Sequence, residues 1–440
     1  MHEQIIFSIL CILSFGFAAN RFIFIKRNIN LGVDWAPNST PLEKWKNVFF
    51  IAFGQKKMFT KWLPATLHLF IYVAFIFTQI ELIEILVDGI SGSHRIFLPV
   101  LGSFYLFIIN FIEFLSLLAL IGTFIFLARR NLLKIPRFQS VELKGWPALD
   151  ALIILLAEIV LVSFIFMMNT ADVALHQESY QFFLSGFLVP LVQDFDTNTL
   201  HLLERLGWWG HIIVVFGFII YLSYSKHLHI IFAFINTYYA NTQPRGKIEN
   251  MPAIMDEVKS LLGMAESNSD TNQLPDFGSN DVFNLSWKNI LDAYTCTECG
   301  RCTDVCPANI TGKKLSPRKI MMDIRDRADE VGKKLDSGDV AFCQDKNLPL
   351  SPSNFSDGLS LFSQILPEEI HACTTCNACV EACPILINPL EPIIKMRRYE
   401  ILTLSSGPAD WVPLFNSLEN NQAAWSLSTE RSAWTADMND

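Results

Sequence analysis

Five long apolar segments in the first 240 residues constrain this 440-residue chain more than any other feature. One covers residues 5–25, and the others lie near 63–87, 97–128, 149–170 and 207–228. A helix of about 20 apolar residues crosses the hydrocarbon core of a bilayer, and each segment reaches that length. The chain is 51% hydrophobic, and apolar runs are rare after residue 240. The sequence therefore predicts a five-helix transmembrane bundle over 1–240, followed by a soluble half.

Charges beside the segments predict the orientation. Eight basic residues beside the segments fall on one side if the N-terminus is outside, and the positive-inside rule makes that side cytoplasmic. They are Lys56, Lys57, Lys61, Arg129, Arg130, Arg137, Lys144 and Lys226. The first segment has Lys26 and Arg27 after it and no basic residue before it, whereas a cleaved signal peptide carries its charge first. We therefore expect a retained first helix, a multi-pass protein of the bacterial inner membrane, and a C-terminal half in the cytoplasm.

Three membrane histidines are candidate haem ligands. His68 lies about two turns into the second segment from the cytoplasmic side, and His211 and His229 stand 18 residues apart at the fifth. Eighteen residues make five helical turns, so these two would share one face near opposite membrane surfaces. Histidine is the usual axial ligand of b-type haem in a helical bundle. We predict one haem between His68 and His229; the alternative is histidines that are merely hydrated or hydrogen-bonded.

A second haem at His211 stays open, because the second segment offers no histidine at that depth. Thr78 stands ten residues after His68, and His227 would point away from the shared face and be interfacial. Other partners on the outer side, such as His94, His176 or His201, would have to come from loops.

Four carboxylates fall within the apolar segments, where ionisable groups are costly and often functional. Glu113 and Glu158 lie near mid-membrane, and Glu81 and Glu84 lie at the outer end of the second segment. They could serve a proton path or a quinone pocket. The alternative is that they hydrogen-bond helices together or, at the outer end, meet water.

The soluble half carries two cysteine runs with one spacing. Each run is C-x2-C-x2-C-x3-C-P, the pattern of bacterial ferredoxins, and they begin at Cys296 and Cys373. Three thiolates of a run can wrap one iron–sulfur cubane, while the fourth cysteine, turned away by its proline, reaches the other. The first [4Fe–4S] cluster should use Cys296, Cys299, Cys302 and Cys383, and the second should use Cys373, Cys376, Cys379 and Cys306. A zinc site closes with four ligands and has no use for this repeated pattern.

The region around the cysteines is predicted to be mostly helical. Ser286 should cap a short helix before the first run, residues 316–334 should form a helix in the insert, and 390–402 should form another. We predict a linker with an amphipathic helix over 241–285, a helical dicluster domain over 286–402, and an acidic tail over 403–440. Cys11 and Cys343 have no partner at ligand spacing and are expected to be free.

The two halves resemble known families. His68, the 18-residue pair His211 and His229, and the segment from Tyr224 to His229 resemble the gamma subunit of respiratory nitrate reductase and membrane heterodisulfide reductases. The cysteine half is similar to the small iron–sulfur subunit of heterodisulfide reductase and to that of anaerobic glycerol-3-phosphate dehydrogenase. The resemblance implies a heterodisulfide-reductase-like oxidoreductase subunit that passes electrons between membrane quinone and a partner. That partner would be a protein with cysteine-rich CCG domains, an electron-transfer flavoprotein or a flavin dehydrogenase.

No nucleotide loop, flavin fingerprint or nucleophile constellation is evident, so substrate chemistry is expected on a partner chain. The net charge of −9 argues against nucleic acid. Two alternatives to electron transfer remain open: a redox or iron sensor, and a membrane scaffold with structural clusters.

Overall fold

The computed structural model describes residues 1–37, 39–176, 182–244, 246–264, 277–424, 432 and 435. Helices dominate this part of the chain, which contains no β-strand. Two isolated β-bridges occur, Val33 with Ser286 and Cys343 with Phe355. The mostly α-helical fold predicted from the sequence is confirmed.

Helices of the first half are either long spans or short connecting turns. In chain order they are α1 (His2–Ile29), α2 (Pro41–Asn47), α3 (Trp62–Ser91), α4 (Leu98–Leu101), α5 (Ser103–Asn131), α6 (Trp146–Leu175), α7 (Phe183–Leu188), α8 (Thr197–Leu222) and α9 (His229–Tyr238). Among the described residues, α1, α3, α5, α6 and α8 are long and apolar enough to cross a membrane. They pack side by side, with α6 against α8 and α3 against α5. The five predicted spans are thus present.

The fifth span ends earlier than predicted. The α-helix stops at Leu222, and a 3₁₀ turn at Lys226–Leu228 precedes α9. The hydroxyls of Ser223 and Ser225 donate to the carbonyls three residues before them, at 2.8 and 3.3 Å. Serine competes with helical hydrogen bonding in this way, which ends the helix. The argument that His211 and His229 are separated by five turns of one helix is therefore wrong.

Shorter helices surround the cysteines in the second half. They are α10 (Pro252–Leu261), α11 (Trp287–Thr295), α12 (Arg301–Asp304), α13 (Pro307–Ile310), α14 (Pro317–Ser337), α15 (Pro367–His371), α16 (Ala378–Ala382), α17 (Leu390–Arg398) and α18 (Trp411–Asn421). Ser286 caps α11 through a capping box with Asn289, and the Ser316 side chain accepts from the Lys319 amide at the start of α14. The predicted helix 390–402 is α17 extended by a π-helical turn at Tyr399–Thr403.

The two halves share one apolar core. Ile25 and Ile29 of α1 and Phe232 of α9 pack into the same buried cluster as Ile320 and Ile324 of α14. This common core joins the cysteine-rich half to one end of the bundle.

Polar contacts reinforce the junction at the same end. Arg21 pairs with Asp329 at 2.6 Å, and the amide of Asn28 donates to the Tyr294 hydroxyl at 3.0 Å. The amide of Val33 donates to the carbonyl of Leu285 at 2.8 Å. The predicted domain boundaries stay predictions, and residues 265–276 of the linker and most of 425–440 lie outside the described residues.

Candidate metal centres

Both cysteine runs adopt the same loop. Glu298 and Thr375 have φ of 56°, and the residues after the second cysteines, Gly300 and Asn377, have φ of 73° and 62°. Left-handed conformations cost energy for residues other than glycine, least for asparagine, and a β-branched threonine there is a clear outlier. Successive backbone N–H groups in such turns form concave nests that bind anions, including iron–sulfur clusters. The two loops are therefore built alike for one kind of anionic group.

The fourth cysteine of the second run lies with the first run. Burial raises the pKa of the Cys296 thiol to about 12, with a contribution from the like charges of Cys299 and Cys383. Burial likewise raises the pKa of Cys383 to about 12, and the charge of Cys299 adds to it. Thiolates influence one another in this way only when they are close together. Cys383 thus faces Cys296 and Cys299, 84 to 87 residues away along the chain.

The reciprocal arrangement holds for the second run. Burial raises the pKa of Cys379 to about 12, and the charges of Cys373 and Cys306 add to it. One cavity is lined by Cys306 together with Cys373, Cys376 and Cys379. The structure therefore brings the eight cysteines together in the two crossed groups expected from the spacing, while their assignment as ligands stays a prediction.

The thiols of Cys296, Cys379 and Cys383, whose pKa burial raises to about 12, require a counter-charge to ionise. Buried thiols are neutral at such a high pKa, and metal coordination is what deprotonates them. Backbone amides also point at sulfur: that of Thr375 lies 3.4 Å from Sγ of Cys373, and that of Ile387 lies 3.3 Å from Sγ of Cys383. Such N–H···S contacts tune the potential of iron–sulfur clusters. The donor set fits two cubane clusters.

The two groups are neighbours, and one of them reaches the surface. Helix α12 of the first run packs against α16 of the second. The pKa of Cys302 is raised, chiefly by burial, and the charge of Cys379 is among the further causes. Cys376 is exposed, whereas Cys306, Cys379 and Cys383 are buried. Electrons could therefore enter or leave at the second group and pass to the first.

The structure brings the rings of His68 and His229 next to each other. Their ring centroids are 6.4 Å apart. Two imidazoles bound to one metal ion would have ring centroids about 6 Å apart. This separation is the sum of two metal–nitrogen bonds of about 2 Å and the distance from each nitrogen to its ring centre. Nδ1 of His68 lies 3.2 Å from Oε1 of Gln55, and Nδ1 of His229 lies 2.9 Å from the carbonyl of Lys226. Ligating histidines typically use their second nitrogen in this way. The pair therefore fits a bis-histidine iron, with Nε2 of each ring left for the metal.

A third imidazole adjoins this pair. The ring of His227 lies 5.7 Å from that of His229 and contacts Phe218 edge-on. Burial lowers the pKa of His227 well below its ordinary value, so it is neutral. The expectation that His227 points away from the shared face is wrong, because after the break at Leu222 its ring lies beside that of His229. No pattern in the sequence indicates that break.

His211 does not gain a second histidine. It is buried, and its Nδ1 lies 3.2 Å from the Leu161 carbonyl. Within the described part of the chain, its ring contacts no other imidazole. His94 and His176, the loop histidines considered as partners, instead contact each other and Asp172. Among the described residues, His211 therefore has no second imidazole with which to hold a haem.

The membrane carboxylates mostly join helices. Glu113 accepts from the Asn169 side chain at 3.1 Å and from the amide of Ser185 at 3.2 Å. Glu84 accepts from the Tyr105 hydroxyl at 2.7 Å. For Glu113 and Glu84, hydrogen bonding between helices therefore explains why the carboxylates are buried. Glu158 lies beside Thr123, and Glu81 lines a cavity at the end of the bundle away from the cysteines.

A buried ion pair connects the first cysteine loop to the histidines. Nζ of Lys226 donates to Oε2 of Glu298 at 2.7 Å, and Arg325 donates to the other oxygen at 2.9 Å. Burial alone would raise the pKa of Glu298, but the two cations hold it below its ordinary value. Lys226 also offers its carbonyl to His229. The pair thus links the two candidate centres, since Glu298 belongs to the first cysteine loop and Lys226 contacts His229. Sequence reasoning missed this link.

Arg301, within the first cysteine run, makes a second link. Its guanidinium donates to the carbonyls of Lys57 and Met58 at 3.3 Å. That segment leads directly into α3, which carries His68. The first cysteine group and the histidine pair are therefore held by contacts on both sides of the junction.

Comparison with known proteins identifies the cysteine region. Residues 295–387 match the family described as 4Fe-4S dicluster domain. The chain is 26% identical over 410 residues to the probable iron-sulfur-binding oxidoreductase FadF of Bacillus subtilis, covering 89% of this chain and 54% of that protein. It is 25% identical over 407 residues to the EtfAB:quinone oxidoreductase of Syntrophomonas wolfei, covering 88% and 53%.

A third relative matches a shorter region. It is the probable membrane-anchored ferredoxin of Chromohalobacter salexigens, 33% identical over 129 residues, which are 28% of this chain and 18% of that protein. No solved structure matches. The chain spans about half the length of the first two relatives. Residues 295–387 thus match a 4Fe-4S dicluster domain, which follows five helices long and apolar enough to cross a membrane, in a chain similar to iron–sulfur oxidoreductases.

Proposed function

We propose that the chain is a membrane-bound electron-transfer subunit that passes electrons between a cytoplasmic redox partner and the quinone pool. Two [4Fe–4S] clusters and one b-type haem at His68 and His229 would carry the electrons. The observation that supports this most is the placement of the first cysteine group and the histidine pair on one junction, bridged by Lys226 and Glu298.

The order of centres follows from exposure and contact. The second cluster, with exposed Cys376, would exchange electrons with the soluble partner. The first cluster, held by Cys383 from the other run, would relay them toward the haem at the cytoplasmic end of the bundle. Haem iron supplies one-electron chemistry when bound, and the protein contributes two imidazoles whose Nδ1 atoms contact Gln55 and the Lys226 carbonyl.

The partner and the membrane are also proposals. One relative is named as an EtfAB:quinone oxidoreductase. By analogy, we propose an electron-transfer flavoprotein or a flavin dehydrogenase as the soluble partner, and quinone as the membrane partner. A CCG-domain protein is the other candidate, in line with the heterodisulfide-reductase resemblance. The iron–sulfur region would then lie in the cytoplasm and the bundle in the inner membrane.

Quinol reduction tests the proposal directly. We expect purified protein in nanodiscs to contain about eight non-haem irons and one haem per chain. On anaerobic addition of a menaquinol or ubiquinol analogue, the haem should be reduced. Added dithionite should reduce both clusters, and reoxidation by quinone should return the electrons. Clusters and haem that exchange no electrons with quinol or quinone would leave a sensor or a scaffold as the function.

The buried ion pair gives a test of electrostatic coupling. Lys226→Met removes a positive charge beside the first cluster and should lower its midpoint potential, whereas Glu298→Gln removes a negative charge and should raise it. A unit charge at about 10 Å in a medium of effective dielectric constant about 20 is worth about 1.7 kcal/mol, or on the order of 70 mV for one electron. Potentiometric EPR measures both shifts.

The exposed pair of Lys314 and Glu368 provides the control, because it is far less buried. Lys314→Met should leave both potentials within a few millivolts. Shifts of the same sign in the Lys226 and Glu298 variants would contradict a charge effect and indicate a structural disturbance instead.

A further inference from the structure

At the end of the bundle away from the cysteines, two histidines converge on one carboxylate. Nε2 of His94 lies 3.3 Å from Oδ1 of Asp172, and Nδ1 of His176 lies 3.0 Å from the same oxygen. All three candidate ligand atoms are within 4.8 Å of one another. The imidazole rings stack at a centroid distance of 5.6 Å. His94 belongs to the loop after α3 and His176 ends α6, so the group joins two spans.

We propose that His94, Asp172 and His176 form a binding site for a divalent transition-metal ion. Two ligands bonded to one metal at about 2.0–2.1 Å with tetrahedral angles stand about 3.3 Å apart, which is close to the two observed separations. Two imidazoles and one carboxylate are a donor set that suits zinc and related first-row ions, with a coordination position left for water. The proposal does not depend on the function proposed above.

The carboxylate is held in place for this role. Its second oxygen accepts from Nε of Arg95 at 2.7 Å, and Arg95 is fixed in turn by the Tyr105 hydroxyl at 2.9 Å and by the Asn169 side chain at 2.8 Å. Ligating carboxylates are commonly fixed in this way by partners outside the coordination sphere. Asp172 is 1% exposed, so Oδ1 is presented in one direction, toward the two imidazoles.

The histidines give the ion access from solvent. Their side chains are 46% and 40% exposed. His94 and Asp172 also line a cavity with an excess of acidic groups, whose negative potential attracts cations. Its acidic members are Glu3, Glu81, Glu84, Asp88, Asp172 and Glu204, against Arg95 and Arg205.

A simpler arrangement uses hydrogen bonds alone. Both imidazoles are within hydrogen-bonding distance of Oδ1, and Nδ1 of His176 also lies 3.1 Å from the carbonyl of Asp172. The metal site and the hydrogen-bonded arrangement differ in one measurable respect. Only a metal site makes the affinity for zinc depend on both histidines.

Zinc binding by the complete holoprotein tests the site. Protein in detergent is freed of loosely bound metal with EDTA and titrated with Zn²⁺ in competition with a chromophoric chelator. We expect one equivalent bound by the wild type, and affinity at least 10-fold weaker in His94→Ala and in His176→Ala. His201→Ala is the matched control, because His201 is an exposed histidine on the same side of the bundle, and its affinity should equal that of the wild type.

Two checks keep the outcome interpretable. Iron–sulfur absorbance must be equal in all variants, which verifies that they fold. The wild type loaded with Cu²⁺, with the clusters in their oxidised, EPR-silent state, should show hyperfine coupling to two imidazole nitrogens. Equal zinc affinity in all four proteins, or copper coupled to fewer than two nitrogens, would overturn the proposal.

Discussion

Replacing either His68 or His229 by alanine should abolish the haem absorbance of the purified protein and leave about eight non-haem irons per chain. The reason is that the two rings, 6.4 Å apart, are the pair spaced for a common iron. A haem with one axial ligand missing is held weakly and loses its low-spin spectrum. Reduced-minus-oxidised difference spectra and pyridine haemochrome assays measure the loss, and iron analysis after haem extraction counts the clusters.

Neighbouring histidines supply the controls for this prediction. His227→Ala and His211→Ala should both retain the haem, because the ring of His227 packs edge-on against Phe218 beside the pair and His211 has no imidazole beside it in the described residues. Loss of haem in His227→Ala with retention in His229→Ala would mean that His227, and not His229, is the ligand. Haem loss in His211→Ala would instead indicate a second haem.

For the histidine pair, the structure supports one part of the sequence-based argument and removes another, while haem binding itself stays a prediction. The positions of His68 and His229 along their segments predict that both lie at the same depth in the membrane, and their rings are neighbours in the structure. The 18-residue spacing between His211 and His229 does not correspond to five turns of one helix, since α8 ends at Leu222 and His229 begins a new helix. Hydropathy responds to apolar length and cannot register the local hydrogen bonds of Ser223 and Ser225 that end the helix.

Contacts across the junction were beyond sequence reasoning for a different reason. Arg21 meets Asp329, and Lys226 meets Glu298, across 308 and 72 residues. Neither periodicity nor motif spacing relates positions so far apart. A charged residue at a helix end also gives the same sequence pattern whether it faces water or a buried partner. The helices themselves were predictable because their apolar length and the caps at Ser286 and Ser316 are local signals.

The crossed grouping of the cysteines can be expected from the sequence, because the proline after each fourth cysteine is a local signal for a long-range crossing, and the ligand sets themselves stay predictions. That crossing leads to the sharpest test. Cys383→Ala should damage the same cluster as Cys296→Ala, and Cys306→Ala should damage the same cluster as Cys376→Ala, although each pair comes from different runs. A cubane that loses one thiolate is lost or converted to a three-iron form, whereas the other cluster keeps all of its ligands.

EPR distinguishes the four variants. Fully reduced wild-type protein has two neighbouring paramagnetic clusters, so its spectrum should be broadened by spin coupling, and each variant should show one uncoupled cluster. The residual spectrum and midpoint potential of Cys383→Ala should match those of Cys296→Ala and differ from those of Cys376→Ala. Cys343→Ala, at a buried cysteine outside both groups, should retain the coupled spectrum. If Cys383→Ala instead matched Cys376→Ala, each run would hold its own cluster, and the relay from the surface cluster through the first to the haem would lose its structural basis.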